Sequence, residues 1–524
     1  MLCHAAPHHA PPRPAAPPRR ARAPVRPQRI ARHARGFSAP ARARASPELG
    51  DTAVVIGASV AGLLSAAALS PHFRRVLVLD RDAALPGLGA TPAAPRRGVP
   101  QSAQPHVLFA RGLAEMEALL PGVTAQLVRD DGALRVDWAS DFACFAGDAW
   151  WARAAGPGDV ASLTCSRYVL ESAARRRLAA QARNVEFRAG ARVAGLLRAE
   201  PRDGDAPAVT GVALAGGGAL AAELTVDAAG RGSACAAWLA QAGLPAQAGA
   251  KCVDAGLRYA TRVFRRAPDA PALPFKVMVI SADPRAEPAQ RRIAYIGCLE
   301  GERLVATLGG YGAADAPPLP AAEWDAFATT LPGGGAFARA LEAAEPEAGY
   351  RDAAVAHAVT ANVWRSFPPL RGLCHVGDSA VALCPAYGQG MTVAALGAAQ
   401  LRHAVARAAA DVAAGRAEQR AAVHAVSAAM ATPPPETHAA WDLAVGQDAA
   451  FPGAVVAGGA SAAQPPALTW YLRALRRHAA MDASASHALL RVSHLLDAPA
   501  ALLAPRLAGA VLAAEARNAL RRRR

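Results

Sequence analysis

The fold of this chain is decided by VVIGASVAG at residues 54–62 and VLVLD at residues 76–80. An apolar run typical of a strand leads into a glycine-containing turn, small residues suited to a helix follow, and a second apolar run ends in a carboxylate. A strand, a tight turn and a helix N-terminus in this order direct free backbone N–H groups toward a pyrophosphate. The stretch predicts a βαβ unit that binds a dinucleotide, and a chance glycine- and alanine-rich turn is the alternative.

The residues of this unit have distinct expected roles. Gly57 permits the tight turn, and Gly62 permits close packing of the helix on the strand. Ser59 stands where the usual pattern has its middle glycine, and it is small enough for its backbone to approach a phosphate. Asp80 closes the second strand, where a carboxylate can accept hydrogen bonds from a ribose, and Arg81 is a further candidate cofactor-binding residue.

Later motifs narrow the nucleotide to FAD. VDAAGRGS at 226–233 follows an apolar run, and CHVGD at 374–378 is followed by CPAYGQGMT at 384–392. Asp378 follows a predicted strand, so its carboxylate could reach a polyol hydroxyl, while the glycines after it let backbone approach a flat ring. The helix that opens near Met391 would point its positive end at that ring, which stabilises the negative charge of a reduced flavin.

These motifs, in this order, resemble the group A flavin monooxygenases of the p-hydroxybenzoate hydroxylase fold. Within that group, the sequence resembles most the subgroup that contains the bacterial polyether epoxidases. It resembles squalene epoxidase and geranylgeranyl reductase more distantly. The likeness spans about residues 51–515 and includes RGVPQ at 97–101, SRYVLE at 166–171 and the GQGMT of the last motif. It implies an α/β fold: a Rossmann-like FAD-binding domain with a central parallel sheet, an antiparallel-sheet substrate domain and a helical C-terminal region.

The resemblance also implies a cofactor site. The turn would hold the FAD pyrophosphate, Asp227 and Gly230 would serve both FAD and the pyridine nucleotide, and Pro385 to Met391 would wrap the isoalloxazine. This sequence departs from the subgroup at Ser59, and at Cys384, where an asparagine is expected. The implied cofactor-binding residues are Gly57, Ser59, Gly62, Asp80, Arg81, Arg167, Asp227, Gly230, Asp378, Pro385, Gly388, Gly390 and Met391.

The implied activity is that of an FAD-dependent monooxygenase. It would hydroxylate or epoxidise an apolar small molecule with NAD(P)H and O2, through a flavin C4a-hydroperoxide. No residue is singled out as catalytic, because the flavin carries the difficult chemistry. An FAD-dependent reductase of isoprenoid double bonds and a non-catalytic flavin-binding protein remain as alternatives. The chain has no WxWxIP element, which disfavours a tryptophan halogenase.

Composition shifts suggest five segments. Residues 1–47 are predicted to be a disordered, transit-peptide-like leader. The FAD-binding domain would comprise residues 48–249 and 355–400, interrupted by the antiparallel-sheet substrate domain at 250–354. Within that inserted domain, alternating segments at 257–264, 276–281, 292–299 and 304–309 predict strands, and a helical pattern follows at 321–344. Residues 401–524 would be helical, with a proline- and glycine-rich break near 452–467. We expect the substrate pocket between the inserted sheet and the flavin.

The basic charge of the chain does not indicate a nucleic-acid partner. The net charge is +16, but residues 1–47 hold ten arginines and no acidic residue, which leaves 47 basic against 41 acidic residues elsewhere. An acid-free, arginine-rich leader is typical of organelle import, with a plastid favoured over a mitochondrion; a disordered leader or a wrong start codon is the alternative. The sequence has no apolar run long enough for a membrane span, although peripheral membrane contact is possible.

Several tempting residues have two interpretations. The eight cysteines include no CxxC pair, so we predict free thiols and no metal site. Cys384 could be a redox thiol, although a packed thiol is the simpler reading. His106 could touch substrate or be structural. Trp138, Trp150 and Trp151 could line an apolar cavity or simply pack.

Overall fold

The βαβ unit predicted from residues 54–80 is present in the computed structural model of the protein. It consists of strand Gly50–Ile56, helix Val60–Leu69 and strand Phe73–Leu79. The structure describes residues 48–88, 93–156, 158–199, 207–245, 249–286, 289–333, 335–460 and 465–522. The leader predicted at residues 1–47 lies outside the described residues.

Strands occur along most of the first 460 residues. In chain order they are β1 (Gly50–Ile56), β2 (Phe73–Leu79), β3 (Leu134–Asp137), β4 (Phe142–Ala146), β5 (Ala149–Trp150), β6 (Ala161–Thr164), β7 (Val185–Arg188), β8 (Val193–Arg198), β9 (Val209–Leu214), β10 (Ala219–Ala221), β11 (Leu224–Asp227), β12 (Gly249–Asp254), β13 (Leu257–Arg266), β14 (Val277–Ile280), β15 (Arg292–Leu299), β16 (Arg303–Tyr311), β17 (Ala344–Pro346), β18 (Val355–His357), β19 (Asn362–Ser366), β20 (Leu373–His375), β21 (Val381–Ala382) and β22 (Val455–Ala457).

Helices frame these strands and dominate the chain after residue 390. They are α1 (Val60–Leu69), α2 (Ala110–Leu119), α3 (Val123–Arg129), α4 (Arg167–Gln181), α5 (Cys235–Gln241), α6 (Ala321–Thr329), α7 (Ala336–Leu341), α8 (Gly390–Ala413), α9 (Gln419–Met430), α10 (Pro435–Asp448), α11 (Pro466–His478), α12 (Ala483–Ser493) and α13 (Pro505–Arg522).

A parallel sheet forms the centre of the fold. Its order is β20-β11-β1-β2-β7, and every neighbouring pair is parallel. Helix α1 is buried along nearly its whole length and packs against β1, β2 and α8. Its Ala, Gly and Leu side chains suit this position, since a helix apolar on all sides must be enclosed. The predicted α/β class with a central parallel sheet is confirmed.

The second large sheet is mostly antiparallel, as predicted. Its order is β17-β13-β16-β15-β14-β4-β5, with β18 also paired to β13. One joint departs from the expectation: β14 runs parallel to β4. Strands β4 and β5 come from residues 142–150, far from the other strands in sequence, so local patterning gave no sign of this pairing.

Two further segments differ from the sequence-based prediction. The helical pattern expected at 321–344 is two helices, α6 and α7, because Pro332 and Gly333 interrupt it. The proline- and glycine-rich break expected near 452–467 contains β22, which pairs with β12 in a sheet of order β21-β19-β12-β22.

The C-terminal helices fall into two groups. Helix α8 packs against α1, α2 and α9 beside the parallel sheet, whereas α11, α12 and α13 pack around Tyr471, Leu475 and Val511. The end of α12 also reaches the large sheet, where Leu490 belongs to the same buried cluster as Val277 of β14. Among the helices described here, none is long and apolar enough to cross a membrane.

Candidate functional site

The turn between β1 and α1 can be made only by glycine at two positions. Gly57 has a φ of +104°, and a Cβ there would lie 2.5 Å from the carbonyl oxygen of Ala228. A Cβ on Gly62 would lie 1.8 Å from the carbonyl oxygen of Gly57. The close approach of helix, turn and neighbouring strand therefore requires both glycines, as the sequence predicted.

The hydroxyl of Ser59 links the turn to a buried ion pair on α4. It donates to Glu171 Oε1 at 2.7 Å and accepts from the guanidinium of Arg167 at 2.8 Å. Arg167 also donates to Glu171 at 2.8 Å, and Arg175 donates to the carbonyl of Ala58 at 2.9 Å. Two buried guanidinium groups thus lie against the turn, a favourable setting for a pyrophosphate.

Asp80 lies next to this pair, at the end of β2. Its carboxylate accepts from the backbone N–H of Ala58 at 2.8 Å and from Arg96 at 3.1 Å. Arg96 also donates to Asp82 at 2.7 Å, and its side chain is only 7% exposed. Arg81 is exposed instead. Sequence reasoning missed Arg96, because it lies in the irregular loop after β2 and no periodic pattern predicts that this loop folds back on Asp80.

The buried charges hold Glu171 in its ionised form. Burial raises the pKa of this carboxyl, but Arg167 and Arg96 outweigh that effect and leave its pKa below the ordinary value. Burial likewise lowers the pKa of Arg175 to about 10, which leaves it charged at neutral pH. The cluster therefore presents fixed charges at the turn.

Asp227, at the end of β11, is fully buried and turned inward. Its carboxylate accepts from the hydroxyl of Ser233 at 2.6 Å and the backbone N–H of Ala229 at 3.0 Å, and His375 Nδ1 lies 3.3 Å away. These contacts fix the following loop, where Gly230 has a φ of +77° and open space at its Cβ position. Gly230, rather than the carboxylate, is available to a ligand.

Asp378 lies in a short turn after β20, between two arginines. Arg231 Nε is 3.9 Å from its carboxylate, and Arg365 donates to its carbonyl at 2.9 Å. Burial raises the pKa of Asp378, while Arg231 opposes the rise. Arg365 also donates to the backbone carbonyl of Arg231 at 3.0 Å, so it links the turn at Asp378 to the loop that carries Arg231. The sequence predicted Asp378 but neither arginine.

The loop from Pro385 to Met391 leads into α8. Gly388 has a φ of +66°, and a Cβ there would lie 3.1 Å from the ring of Phe109. Pro385 is exposed, while Met391 is 7% exposed. The amide of Gln389 donates to the carbonyl of Ser493 at 2.8 Å, which ties the loop to the end of α12.

A buried hydrogen-bond network holds the backbone at Cys384. Its backbone N–H donates to Asn362 Oδ1 at 2.7 Å, and Asn362 donates to Asp448 at 2.7 Å. The hydroxyl of Tyr387 also donates to Asp448, at 2.5 Å. Burial raises the pKa of the Cys384 thiol well above its ordinary value, which favours a packed thiol over a reactive one. Asn362 of β19 thus holds the backbone of the loop at Cys384.

His106 lines a small cavity beside Arg167 and Met391. Its Nδ1 lies 2.9 Å from the carbonyl of Gln104, so Nδ1 carries the proton and Nε2 is an acceptor. Burial and the charge of Arg167 lower its pKa to about 3, which keeps the ring neutral. His106 therefore lies beside Arg167, in a position compatible with both a substrate contact and a structural role.

The three tryptophans lie in different parts of the fold. Trp138 is 4% exposed and packs 5.8 Å from Phe109, near the loop that precedes α8. Trp150 packs edge-on against Phe145 at 5.4 Å, and Trp151 packs with the cluster of α11 to α13. Only Trp138 lies beside the predicted flavin region.

No protein-family model matches the sequence. Protein Rv3254 from Mycobacterium tuberculosis is 34% identical over 379 residues, which cover 68% of this chain and 73% of that protein.

Solved structures with a similar fold have low sequence identity. A flavoprotein/dehydrogenase from Cytophaga hutchinsonii aligns with a TM-score of 0.57 and 13% identity, over 89% of this chain and all of that one. The flavin-dependent brominase Bmp2 gives 0.56 and 12%, over 90% of this chain and 100% of that one. PqsL, a probable FAD-dependent monooxygenase from Pseudomonas aeruginosa, gives 0.54 and 15%, over 77% and 96%. These likenesses confirm the fold.

Proposed function

We propose that this chain, which belongs to the family of the mycobacterial protein Rv3254, performs flavin chemistry of the kind named for its structural neighbours. In this proposal it is an FAD-dependent monooxygenase that inserts oxygen from O2 into an apolar small molecule, with NAD(P)H as the reductant. The neighbours named as a brominase and a probable monooxygenase support flavin and oxygen chemistry on this fold.

One observation carries the proposal: four candidate FAD ligands follow strands of the same parallel sheet. Gly57 follows β1, Asp80 follows β2, Gly230 lies in the loop after β11 and Asp378 follows β20. Since β1, β2, β11 and β20 run parallel, their carboxyl ends share one edge of the sheet. Ligands of such sheets bind along that edge, and an extended dinucleotide can contact all four positions.

The residues along the edge fit the parts of FAD. Asp80 would accept from the adenosine ribose, and the glycines of the turn leave room for the pyrophosphate that Arg167 would neutralise. Asp378 would accept from the ribityl chain between Arg231 and Arg365. The loop at 385–388, which is exposed at Pro385 and Ala386, would meet the isoalloxazine ring. When bound, FAD would supply electron transfer from NAD(P)H and the activation of O2.

The protein's own role would be to position the flavin ring and to exclude water from the reacting centre. Helix α8 begins at Gly390, directly after the loop, so its positive end would stabilise negative charge on a reduced ring. Neutral His106 can accept a hydrogen bond at Nε2 and remain uncharged. Apolar side chains of β14 and β15, with Phe109, would exclude water from the reacting centre.

Oxygen-isotope labelling tests the proposal. We expect the purified protein to bind FAD and to oxidise NADPH in air, with one atom of labelled O2 entering a product formed from apolar compounds of its own compartment. Turnover without oxygen would instead support a reductase of isoprenoid double bonds. Failure to bind FAD at micromolar concentration would refute every flavin-dependent function.

We further propose that residues 1–47 direct the protein to an organelle, with a plastid favoured. The support is compositional: ten arginines and no acidic residue. Residues 1–47 fused to a fluorescent protein should enter plastids when expressed in plant cells. Retention in the cytosol would contradict the proposal, and a fusion with alanine in place of the ten arginines is the control.

A further inference from the structure

The positive charge that follows residue 47 is concentrated in helices α11, α12 and α13. Residues 466–524, which include these helices, hold ten arginines against three acidic residues. Residues 48–465 hold 37 basic against 38 acidic residues, so they are close to neutral. The excess of positive charge therefore belongs to the C-terminal helices, where it can attract an anionic partner.

The three acidic residues of this segment each accept a hydrogen bond from a neighbour. The pairs are Glu515 with Arg477 at 2.9 Å, Asp497 with Arg491 at 2.8 Å, and Asp482 with the backbone N–H of Ser484 at 2.8 Å. Arg506 and Arg517 of α13 are exposed and have no hydrogen-bond or ion-pair partner among the residues that the structure describes. Their charges are therefore available to a partner outside this chain.

Helix α13 has an apolar side that faces solvent. Its inner side is buried, and Val511 packs in the cluster that α11 and α12 share with it. Leu512 is 51% exposed and Leu520 is 64% exposed. At 3.6 residues per turn, these two leucines lie on the outward side of the helix. The other exposed apolar or small residues on that side are Pro505, Gly509, Ala513 and Ala516. Arg506 and Arg517, about three turns apart, lie along one edge of this outward side.

This outward side has the chemistry of a helix that lies in a membrane interface. A helix that faces water normally carries polar residues on its outward side. Leucines bordered by arginines instead suit a bilayer surface, since the leucines can enter the lipid tails while the guanidinium groups reach the lipid phosphates. Further exposed apolar side chains occur in the same helical group, at Trp470, Met481 and Leu503. A second copy of this chain is disfavoured as the partner, because it would bring like charges together.

We propose that the outward side of α13 docks the protein on the surface of a bilayer that contains anionic lipids. Leu512 and Leu520 enter the region of the lipid tails, and Arg506 and Arg517 contact lipid phosphates. The sequence adds four arginines at 521–524, which increase the attraction to a negative surface. In this arrangement α13 lies in the plane of the interface, with its buried side still packed on the protein.

Flotation of the full-length protein with lipid vesicles tests the docking. We expect vesicles of phosphatidylcholine mixed with phosphatidylserine to bind the protein at least about tenfold more tightly than vesicles of phosphatidylcholine alone. The reason is that each arginine near an anionic surface changes the affinity about fivefold. High salt should weaken the binding by screening these charges. Equal affinity for the two kinds of vesicle, or binding to neither, would overturn the inference.

Two double variants assign the binding to α13 rather than to residues 1–47, whose ten arginines would also attract anionic lipids. Leu512→Ser with Leu520→Ser removes the inserted side chains, and Arg506→Gln with Arg517→Gln removes the charges. Each double variant should lower the affinity for phosphatidylserine-containing vesicles at least about tenfold. All four side chains are exposed, so the unfolding temperature should stay unchanged. Wild-type affinity in both double variants would contradict the assignment.

Leu319→Ser and Arg407→Gln are the matched controls. They change an exposed leucine and an exposed arginine outside the C-terminal helices, and vesicle binding should equal that of the wild type. A loss in these controls as large as in the α13 variants would show that the binding is nonspecific and would overturn the inference.

Two other partners of this surface would give different results. A second copy of this chain would appear in sedimentation velocity as a dimer that Leu512→Ser with Leu520→Ser dissociates, without binding to vesicles. A nucleic acid, tested with polyuridylate, would be lost with the arginine variant but retained with the leucine variant. Either of these patterns, in place of vesicle binding, would overturn the inference. FAD affinity should be unchanged in the α13 variants, so the docking and the proposed function are tested independently.

Discussion

Gly57 offers a test of the dinucleotide turn with a single side chain. We expect Gly57→Val to lower FAD affinity by more than about 100-fold, because a branched residue is strained at a φ of +104° and its Cβ would meet the Ala228 carbonyl. Fluorescence titration of the apoprotein with FAD measures the change. Gly195→Val is the matched control, since open space surrounds its Cβ position in β8.

Ser59→Gly should behave differently from Gly57→Val. It removes the hydroxyl between Arg167 and Glu171 but leaves their direct 2.8 Å contact, so stability should fall by about 1 kcal/mol while FAD remains bound. A Gly57→Val protein that stays yellow, or a Ser59→Gly protein that loses its flavin, would contradict the site as described.

Glu171 makes the stability of the apoprotein depend on pH. Its folded pKa lies below its unfolded value, so its contribution is complete above the unfolded pKa of about 4.3 and is lost as the pH falls through the folded pKa. Glu171→Gln should therefore cost about 3 kcal/mol at pH 7, because a buried ion-pair partner is removed. Urea unfolding at several pH values should show this difference shrinking below pH 4.

Glu186→Gln is the matched control for Glu171→Gln. Glu186 pairs with Arg75 on the surface, where its side chain is 43% exposed, and solvent screening should keep the cost below about 1 kcal/mol. Equal losses in the two variants would show that the cluster at the turn is not functioning as a buried ion-pair network.

At the residue scale, the sequence predicted what the backbone demands and missed what the tertiary structure assembles. Gly57, Gly62 and Asp80 follow from local spacing within one βαβ unit. Arg96 and Glu171 do not, because they come from a loop and a helix that meet Asp80 and Ser59 only after folding. A buried arginine in a proline- and glycine-rich loop has no distinct sequence pattern.

At the scale of elements, Asn362 should couple β19 to the flavin loop. Asn362→Ala leaves the backbone N–H of Cys384 unpaired and removes one partner of buried Asp448. We expect a loss of about 3 kcal/mol in the free energy of unfolding, measured by urea unfolding. We also expect a lower affinity for FAD, measured by titration.

Asn184→Ala separates the two effects of Asn362→Ala. Asn184 donates to the carbonyls of Ser70 and Phe73, both at 2.8 Å. These bonds stabilise an edge of the parallel sheet that lies apart from the flavin loop. The Asn184→Ala substitution should lower the free energy of unfolding while FAD affinity stays unchanged. Unchanged FAD affinity in Asn362→Ala as well would show that the network does not position the loop.

Element boundaries were predictable where they depend on local chemistry. Strands β13 to β16 alternate or are apolar, and their ends coincide with turn residues, so the predicted segments match them closely. Strand β22 and the parallel pairing of β4 with β14 were not predictable, because their partners lie far away in sequence. Pairing between distant strands depends on the assembled fold rather than on propensity.

At the scale of the whole molecule, the C-terminal helices are part of the site rather than an appendage. The domain boundaries predicted from composition remain predictions, but the contacts of α12 cross them. Leu490 packs on the large sheet, His494 accepts from α2, and Ser493 accepts from Gln389 of the flavin loop. Composition alone does not identify the partner of these helices, because an Ala- and Leu-rich helix can pack against almost any apolar surface.

Two truncations test this arrangement. A chain that ends at residue 460 lacks α12, so Trp138 and Val277 lose their cover and Gln389 loses its partner on Ser493; we expect loss of FAD binding, measured by titration. A chain that ends at residue 504 lacks only α13, whose Val511 packs among α11 and α12. That chain should unfold at a lower temperature yet keep FAD. If the chain ending at residue 460 binds FAD as tightly as the full-length protein, α12 does not support the flavin loop.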